Sequence, residues 1–180
     1  GQIGKVADNI VKRQFTATKP NQLWLTDVTE FRIRGQEEKL YLSPILDLYN
    51  SEIISYTLSN HPTTKLTNTM LEKAINKTKD ISKLIIHSDQ GFHYQHSTWT
   101  NKLEKLKITQ SMSRKGNCLD NSPMENFFGI LKQEMYYGED FTSYDHLISE
   151  IEKYIKWYNE DRIKTKLNGM SPVMYRLHSA

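Results

Sequence analysis

The sequence predicts an α/β domain in which a mixed sheet of three antiparallel strands and two short strands is flanked by helices. The first observation is a β-branched and aromatic segment from Leu23 to Ile33, followed by further apolar runs at 40–49 and 53–58. The second is a change to helical spacing between residues 66 and 75, where apolar residues recur three and four positions apart. Strands followed by an alternation of helices and short strands favour a sheet that packs against helices.

The three strands at the start of the chain are joined by short turns, which predicts an antiparallel meander. Gly35-Gln36-Glu37-Glu38 forms the first turn and Asn50-Ser51 forms the second. Asp27 lies within the first of these strands, between apolar neighbours. A charge at such a position is costly unless it is paired, so the sequence singles out Asp27 as a candidate functional residue.

The rest of the chain alternates short strands with helices. The last long helix carries a wide apolar stripe, which indicates that it packs on a core. The expected elements are a helix at 66–75, a strand at 84–86, a helix at 98–106, a strand at 108–111, a polar loop at 113–121, and helices at 122–136 and 143–159.

Length and composition suit one soluble domain with appendages. Of the 180 residues, 37% are hydrophobic and 25% charged, and we divide the chain into an arm or linker at 1–20, a core at 21–160 and a basic tail at 161–180. No apolar run approaches the roughly 20 residues that a membrane-spanning helix needs. The single cysteine, Cys118, excludes an internal disulfide and suits the cytoplasm. A net charge of +3 permits nucleic-acid binding without requiring it.

Three acids can meet at one place in such a fold. Asp89 lies just beyond the strand at 84–86, and α/β sheets place ligands just beyond their strand ends. Glu125 lies in the first turn of the helix that begins near residue 122. If the first and fourth strands are neighbours, Asp27 and Asp89 converge, and the helix brings Glu125 to the same spot. Clustered carboxylates repel one another unless cations neutralise them, and oxygen ligands favour Mg²⁺ or Mn²⁺ over zinc.

The spacing of these acids resembles the D,D(35)E signature of the retroviral integrase-like superfamily, because 35 residues separate Asp89 from Glu125. The surrounding motifs are similar to those of bacterial insertion-sequence transposases, in the subgroup made by frameshifting between two overlapping reading frames. They are Trp24–Thr29, His87–Gly91, Ser111–Cys118, Asp120–Ser122, Glu125–Phe128, Tyr158-Asn159 with Arg162, and Ser171-Pro172. The resemblance covers nearly the whole chain.

The resemblance implies a ribonuclease H-like fold and a polynucleotidyl transferase that cleaves DNA and then transfers the strand. It implies two Mg²⁺ or Mn²⁺ ions, with Asp27 as the bridging ligand, Asp89 on one ion and Glu125 on the other. The expected partners are the DNA ends of a mobile element, target DNA and further copies of the chain, in the bacterial cytoplasm and without a membrane. Full-length members carry an N-terminal helix-turn-helix region, so we expect this chain to be a fragment.

Three basic residues are candidate contacts for the phosphate backbone of DNA. Lys132 lies seven residues after Glu125, so the two are almost aligned on one helix face. Gly129 lies between them, where a missing side chain would let DNA approach. Arg114 and Lys115 lie in the polar loop before that helix.

Structural roles compete with functional ones around the acids. His87 and Asp120 are candidate partners of the metal ligands, but His87 also suits a packed strand end and Asp120 an ordering role in its loop. Asp89 could serve a turn before Gly91. Ser122-Pro123-Met124-Glu125 fits a capping box with proline at the first helical position, so Glu125 could cap the helix as well as bind a cation.

Two other functions stay open at this point. A structurally similar nuclease would hydrolyse DNA without joining it, and a DNA-binding module would have lost catalysis altogether. The intact set of three acids favours an enzyme over the binding module, because binding alone does not need them.

Overall fold

A six-stranded mixed sheet forms the centre of the computed structural model, which describes residues 4–179 apart from the side chain of Cys118. The strands are β1 (Leu23–Thr26), β2 (Thr29–Phe31), β3 (Leu40–Asp47), β4 (Glu52–Ser59), β5 (Ile85–Ser88) and β6 (Thr109–Met112). The helices are α1 (Thr64–Lys77), α2 (Phe92–Gln95), α3 (Ser97–Lys105), α4 (Ser122–Leu131), α5 (Tyr144–Glu160) and α6 (Pro172–His178). A π turn (Lys132–Tyr136) follows α4, and 3₁₀ turns span Cys118–Asn121 and Thr165–Leu167. The predicted α/β class, with a mixed sheet flanked by helices, is confirmed.

The sheet combines an antiparallel half with a parallel half. β3 pairs antiparallel with β1, β2 and β4, as the predicted meander requires. β5 lies between β1 and β6 and runs parallel to both. β1 is therefore the strand at which the two halves meet.

The segment expected to be one strand from Leu23 to Ile33 is interrupted at Asp27 and Val28. The pairs on either side of the break keep one register along β3, which places Asp27 opposite Pro44. Proline has no N–H group with which to continue the ladder, and the Thr26 hydroxyl donates to the Pro44 carbonyl oxygen at 2.8 Å. The prediction of a continuous strand was wrong, and Asp27 stands at the end of β1 rather than within a strand.

Both faces of the sheet are covered by helices. Leu23 and Leu25 of β1 point into a core that they share with α4 and α5, whereas Trp24 points to the opposite face, into a core shared with α1 and α3. This alternation follows from the two-residue period of a strand. It fixes α4 against the sheet beside β1, with its first turn near the end of that strand.

Two helices were missing from the prediction. α2 has only 4 residues, too few to show a helical period. α6 does carry start signals, because Pro172 lies in its first turn and the Ser171 side chain accepts a hydrogen bond from Met174 N at 3.3 Å. α6 is fastened to the sheet by Arg176, which donates to Asp47 Oδ2 at 2.6 Å. No helix within residues 4–179 is long and apolar enough to cross a membrane.

Candidate active site

Two acids leave adjacent parallel strands at the same level of the sheet. Leu25 of β1 is in register with His87 of β5, so Asp27 and Asp89, two residues further along, follow the two strand ends side by side. Neighbouring strands in a sheet lie about 4.7–4.9 Å apart. The expected pairing of the first strand with the strand before Asp89 is confirmed, and it brings these two carboxylates to one edge.

Glu125 reaches the same edge from the first turn of α4. Its carboxyl group is within hydrogen-bond reach of the carboxyl group of Asp27. Asn121, just before α4, fixes this approach because its Nδ2 donates to the carbonyl oxygen of Thr26 at 3.1 Å. All three acids line one open cavity of about 580 Å³.

The carboxyl group of Asp27 is the most strongly perturbed acid of the cavity. Burial raises the pKa of Asp27 to about 9, and the hydrogen bond with Glu125 and the negative charge of Asp89 act in the same direction. A hydrogen bond from Val28 N to Asp27 Oδ1, at 2.8 Å, opposes the shift without cancelling it. Because an ionised Asp27 is costly beside a second carboxyl group, the Asp27 side chain calls for a proton or a cation.

The donor set of the cavity suits a hard divalent cation. Asp27 and Glu125 offer oxygen atoms alone, and their close approach creates a need for positive charge. Among the described His, Cys, Asp and Glu side chains of residues 4–179, no three lie close enough together to hold one ion. Asp89 Oδ1 accepts a hydrogen bond from Gly91 N at 2.7 Å, so part of its carboxylate is occupied by its own turn. The structure thus brings all three acids into one cavity and two of them into contact.

The capping-box interpretation of Glu125 was wrong. Ser122 is the first helical residue rather than the residue that caps α4, and Asn121 occupies the cap position without a side-chain capping bond. The 3₁₀ turn at Cys118–Asn121 runs directly into α4, which shifts the start of the helix by one residue. The Glu125 side chain is therefore exposed in the cavity and is not used to cap the helix.

Asp120 is buried beside the acids and orders the loop that precedes α4. Its carboxylate accepts the backbone N–H of Arg114 at 2.8 Å and two guanidinium N–H groups of the same residue at 2.9 Å. These bonds hold the pKa of Asp120 well below its usual value. Asp120 thus closes the loop 114–120 into a fixed shape, and its carboxylate does not line the cavity of the acids.

His87 is fully buried behind the cavity. Its Nε2 donates to the carbonyl oxygen of Asp120 at 2.7 Å, and its Nδ1 lies 2.8 Å from Ser111 Oγ. Burial lowers the pKa of His87 below its ordinary value, which favours the neutral ring. His87 therefore connects the end of β5 with β6 and with the loop before α4.

A contact that the sequence did not reveal comes from residues 4–20, which we call the N-terminal arm. Arg13 Nε donates to Asp120 Oδ1 at 2.7 Å, and Asn9 Nδ2 lies 3.4 Å from Asp120 Oδ2. The backbone N–H groups of Ile10 and Val11 donate to Ser111 Oγ at 2.9 and 3.3 Å. Arg13 and Asp120 are 107 residues apart, so no local pattern could have linked them.

The three basic residues that the sequence suggested lie in different surroundings. Arg114 and Lys115 line the acid cavity, although the Arg114 guanidinium group is already bound to Asp120. Lys132, in the π turn, donates to the Glu30 carbonyl oxygen at 2.9 Å, and its ammonium group lies 5.0 Å from the centre of the Phe31 ring. A side chain added at Gly129 would meet no atom within 4 Å, so the helix face between Glu125 and Lys132 is open.

A mixed sheet with acids beyond two adjacent parallel strands and a third acid on a helix defines the class of ribonuclease H-like polynucleotidyl transferases. Comparisons of the chain agree with this class. The integrase core domain family matches residues 17–118, and a second integrase core domain family matches residues 125–179. The chain belongs to the integrase core domain family, among the transposases of insertion sequences.

Two relatives illustrate this membership. An uncharacterized transposase-like protein of Haemophilus influenzae is 50% identical over 179 residues, which cover 99% of this chain and 82% of that protein. A putative transposase for insertion sequence element IS150 of Escherichia coli is 46% identical over 176 residues, which cover 98% of this chain and 62% of that protein. The chain thus spans less than two thirds of the second relative.

Solved structures share the fold at much lower identity. The catalytic core domain of HTLV-2 integrase, in complex with magnesium, has a TM-score of 0.68 at 16% identity over 89% of this chain and 99% of that one. The simian T-cell lymphotropic virus intasome, in complex with a PP2A regulatory subunit, has a TM-score of 0.74 at 18% identity over 98% of this chain and 60% of that one. At these identities the likeness establishes the fold alone.

Proposed function

We propose that this chain is the catalytic core of an insertion-sequence transposase, which cleaves DNA strands and joins them to new sites with the help of divalent cations. The observation that carries the proposal is the meeting of three acids. Asp27 and Asp89 follow adjacent parallel strands in register, and Glu125 lies within hydrogen-bond reach of Asp27. Membership of the transposase family supports the same conclusion.

The acids would divide the work of holding two Mg²⁺ or Mn²⁺ ions. Asp27, central and in contact with Glu125, suits the bridging position. Glu125 would hold one ion, and Asp89 the other after its side chain turns from Gly91 N. Two such ions supply charge neutralisation at phosphorus and activation of the attacking oxygen. The need of the Asp27–Glu125 pair for positive charge supports this assignment.

The reaction would proceed in two transfers without a covalent enzyme intermediate. In the first, water attacks a phosphodiester bond at the element end, which releases a 3′-hydroxyl group and leaves the phosphate on the other fragment. In the second, that 3′-hydroxyl group loses its proton and attacks another phosphodiester bond, so that one bond forms as one breaks. Arg114, Lys115 and Lys132 are the residues that we expect to contact DNA phosphates during these steps.

The proposed partners are the two ends of a mobile element, target DNA and at least one further copy of the protein. Two element ends must be processed together, so a dimer on DNA is the smallest assembly that fits the reaction. The HTLV-2 integrase catalytic core has been solved in trimeric and dimeric forms, and the simian virus structure is an intasome, so these proteins support self-association of this chain only by shared fold.

The test is an assay that separates joining from cutting. A labelled DNA end with a free 3′-hydroxyl group is incubated with unlabelled target DNA, the protein and Mn²⁺, with Asp89→Asn as the inactive control. Labelled products longer than the substrate are expected. Shortened products alone would support a nuclease, and a gel shift without any metal-dependent cleavage would support a DNA-binding module.

A further inference from the structure

The buried carboxylate of Asp120 draws part of its neutralising charge from outside its own loop. Asp120 is fully buried, and its two cationic partners are Arg114 of the loop and Arg13 of the N-terminal arm, at 2.9 and 2.7 Å. A buried carboxylate needs such partners because its desolvation is costly. Arg13 also donates from Nη2 to Asn117 Oδ1 at 3.0 Å, so its guanidinium group grips the loop at two points.

The backbone of the arm adopts an uncommon conformation where it places the Arg13 side chain against Asp120. Lys12 and Arg13 have φ angles of 48° and 61°, in the left-handed region that residues with a side chain rarely adopt. Gln14 N donates to the Val11 carbonyl oxygen at 3.0 Å, which closes the two residues into a tight turn. Turns of this kind normally carry glycine, asparagine or aspartate, and strain of this kind persists where surrounding contacts over-determine it. The contacts here are those of Arg13 and of Val11, which is buried.

The loop that Arg13 binds leads directly into the helix that carries Glu125. Asp120 and Asn121 end the 3₁₀ turn, and α4 begins at the next residue. Asn121 is bonded to Thr26, next to Asp27, while the Asp120 carbonyl oxygen is bonded to His87, two residues before Asp89. A shift of Asp120 would therefore move the start of α4 relative to both acids of the sheet.

We propose that Arg13 is a positioning residue of the active site, which acts through Asp120 to hold Glu125 at its distance from Asp27 and Asp89. The N-terminal arm is then part of the catalytic apparatus and not a linker to it. This inference rests on the proposed function, because it assigns Arg13 to the positioning of a proposed metal ligand.

Two simpler roles for Arg13 must be separated from this one. The side chain is 41% exposed and binds Asn117, which lines the acid cavity, so it could contact DNA directly. It could also only fasten the arm to the domain, which would affect overall stability and nothing else. The first role predicts a change in DNA affinity, and the second predicts a change in unfolding temperature without a change at the acids.

A matched pair of glycine variants distinguishes the three roles. Lys12→Gly and Arg13→Gly each place glycine at a position with a left-handed backbone conformation and so relieve comparable backbone strain. Only Arg13→Gly removes the guanidinium group from Asp120. Arg13→Lys retains a positive charge with fewer donors. Three quantities are measured for each variant. The first is the Mn²⁺ concentration that produces half of the maximal increase in unfolding temperature. The others are the rate of hydrogen exchange at residues 117–125 and the affinity for DNA in EDTA.

The expected result is a specific loss at the acids. Arg13→Gly should raise the Mn²⁺ concentration that produces half of the maximal increase in unfolding temperature about tenfold, because loss of a residue that supports a metal ligand commonly weakens metal binding by this factor. It should also speed hydrogen exchange at 117–125, whereas Lys12→Gly behaves as wild type and Arg13→Lys falls between. DNA affinity in EDTA should stay unchanged.

Other outcomes overturn the proposal. The proposal is wrong if Arg13→Gly responds to Mn²⁺ as wild type does and shows unchanged hydrogen exchange at residues 117–125, whether or not its unfolding temperature falls. A loss of DNA affinity with normal Mn²⁺ response would assign Arg13 to DNA. If wild type binds Mn²⁺ yet joins no DNA, the proposed function fails, while the Mn²⁺ response and hydrogen exchange still decide the role of Arg13. If wild type binds no Mn²⁺, both proposals fail.

Discussion

Asp27 is a residue whose local chemistry opposes the stability of the fold. Its carboxyl group is partly buried, next to Glu125 and near the charge of Asp89, and these surroundings raise its pKa to about 9. When a carboxyl group has a higher pKa in the folded than in the unfolded protein, the free energy of unfolding decreases as pH rises. The loss begins near the unfolded pKa of about 4 and is complete above the folded pKa.

The variant Asp27→Asn should therefore stabilise the protein in the absence of cations. Asparagine has the same shape, keeps an oxygen atom for the Val28 N–H group and can donate to Glu125, but carries no charge. Its unfolding temperature in EDTA should exceed that of wild type, by a margin that grows from about pH 5 to about pH 8. Mn²⁺ should raise the unfolding temperature of wild type and leave that of Asp27→Asn unchanged. An Asp27→Asn protein that is less stable than wild type at the higher pH would contradict this account.

Glu125 allows a test of chemistry with little structural cost. The side chain is exposed and does not cap α4, so Glu125→Gln should lower the free energy of unfolding by no more than about 0.5 kcal/mol. Glutamine is a poor ligand for Mg²⁺, so strand transfer should fall by at least roughly 100-fold, beyond the usual cost of losing an outer partner of a metal ligand. Glu104→Gln, an exposed change on α3, serves as the control in both assays. Retained strand transfer in Glu125→Gln would remove Glu125 from the catalytic set.

At the scale of elements, the sequence predicted best those features that repeat along the chain. The strands around 40–58 and the short strand before Asp89 carry apolar runs, and the helix α5 carries a clear apolar period. Asp27 was correctly singled out, but its place at a strand end was not predicted, because the break depends on Pro44 of a different strand. The approach of Arg13 to Asp120 was missed for the same reason, since the contact joins residues 107 positions apart.

The end of the chain gives a second example at this scale. Residues 161–180 were described as a basic tail, yet α6 lies within them and its Arg176 binds the fully buried carboxylate of Asp47 at 2.6 Å. The same guanidinium group lies 3.2 Å from Glu52. The signals for α6, serine followed by proline, were present but were assigned to a family motif and not to a helix start.

Arg176→Ala should consequently cost stability in the core of the fold. It leaves Asp47 with only the backbone N–H groups of Asn21 and Tyr49 as donors among the described residues. Loss of a hydrogen bond to a buried charge costs roughly 2–3 kcal/mol, which urea unfolding can resolve. Arg34→Ala removes the exposed pair with Asp140 and should cost less than about 0.5 kcal/mol. Equal effects of the two variants would show that the Arg176 contact contributes little.

At the scale of the whole molecule, charge is distributed unevenly although the net charge is only +3. A groove of about 820 Å³ lies beside the first turn of α4, and Arg162, Lys164 and Lys166 are among the residues that line it. Arg162 is paired with Glu134 at 2.6 Å, whereas Lys164 and Lys166 have no ion-pair partner among the described residues. Burial lowers the pKa of Lys164 to about 8, and the nearby positive charges of Arg162 and Lys166 act in the same direction.

The positive charges that line this groove should attract an anion such as the phosphate backbone of DNA. The groove also adjoins the helix that carries Glu125. The double variant Lys164→Ala/Lys166→Ala should weaken DNA binding in EDTA. The slope of log affinity against log salt should shrink by roughly 1 to 2, because each lost phosphate contact removes about 0.9 on duplex DNA. Lys153→Ala/Lys156→Ala carries the same charge change on the exposed face of α5 and should bind nearly as wild type. Equal salt slopes for the two double variants, measured by fluorescence anisotropy, would mean that net charge and not this groove governs DNA affinity.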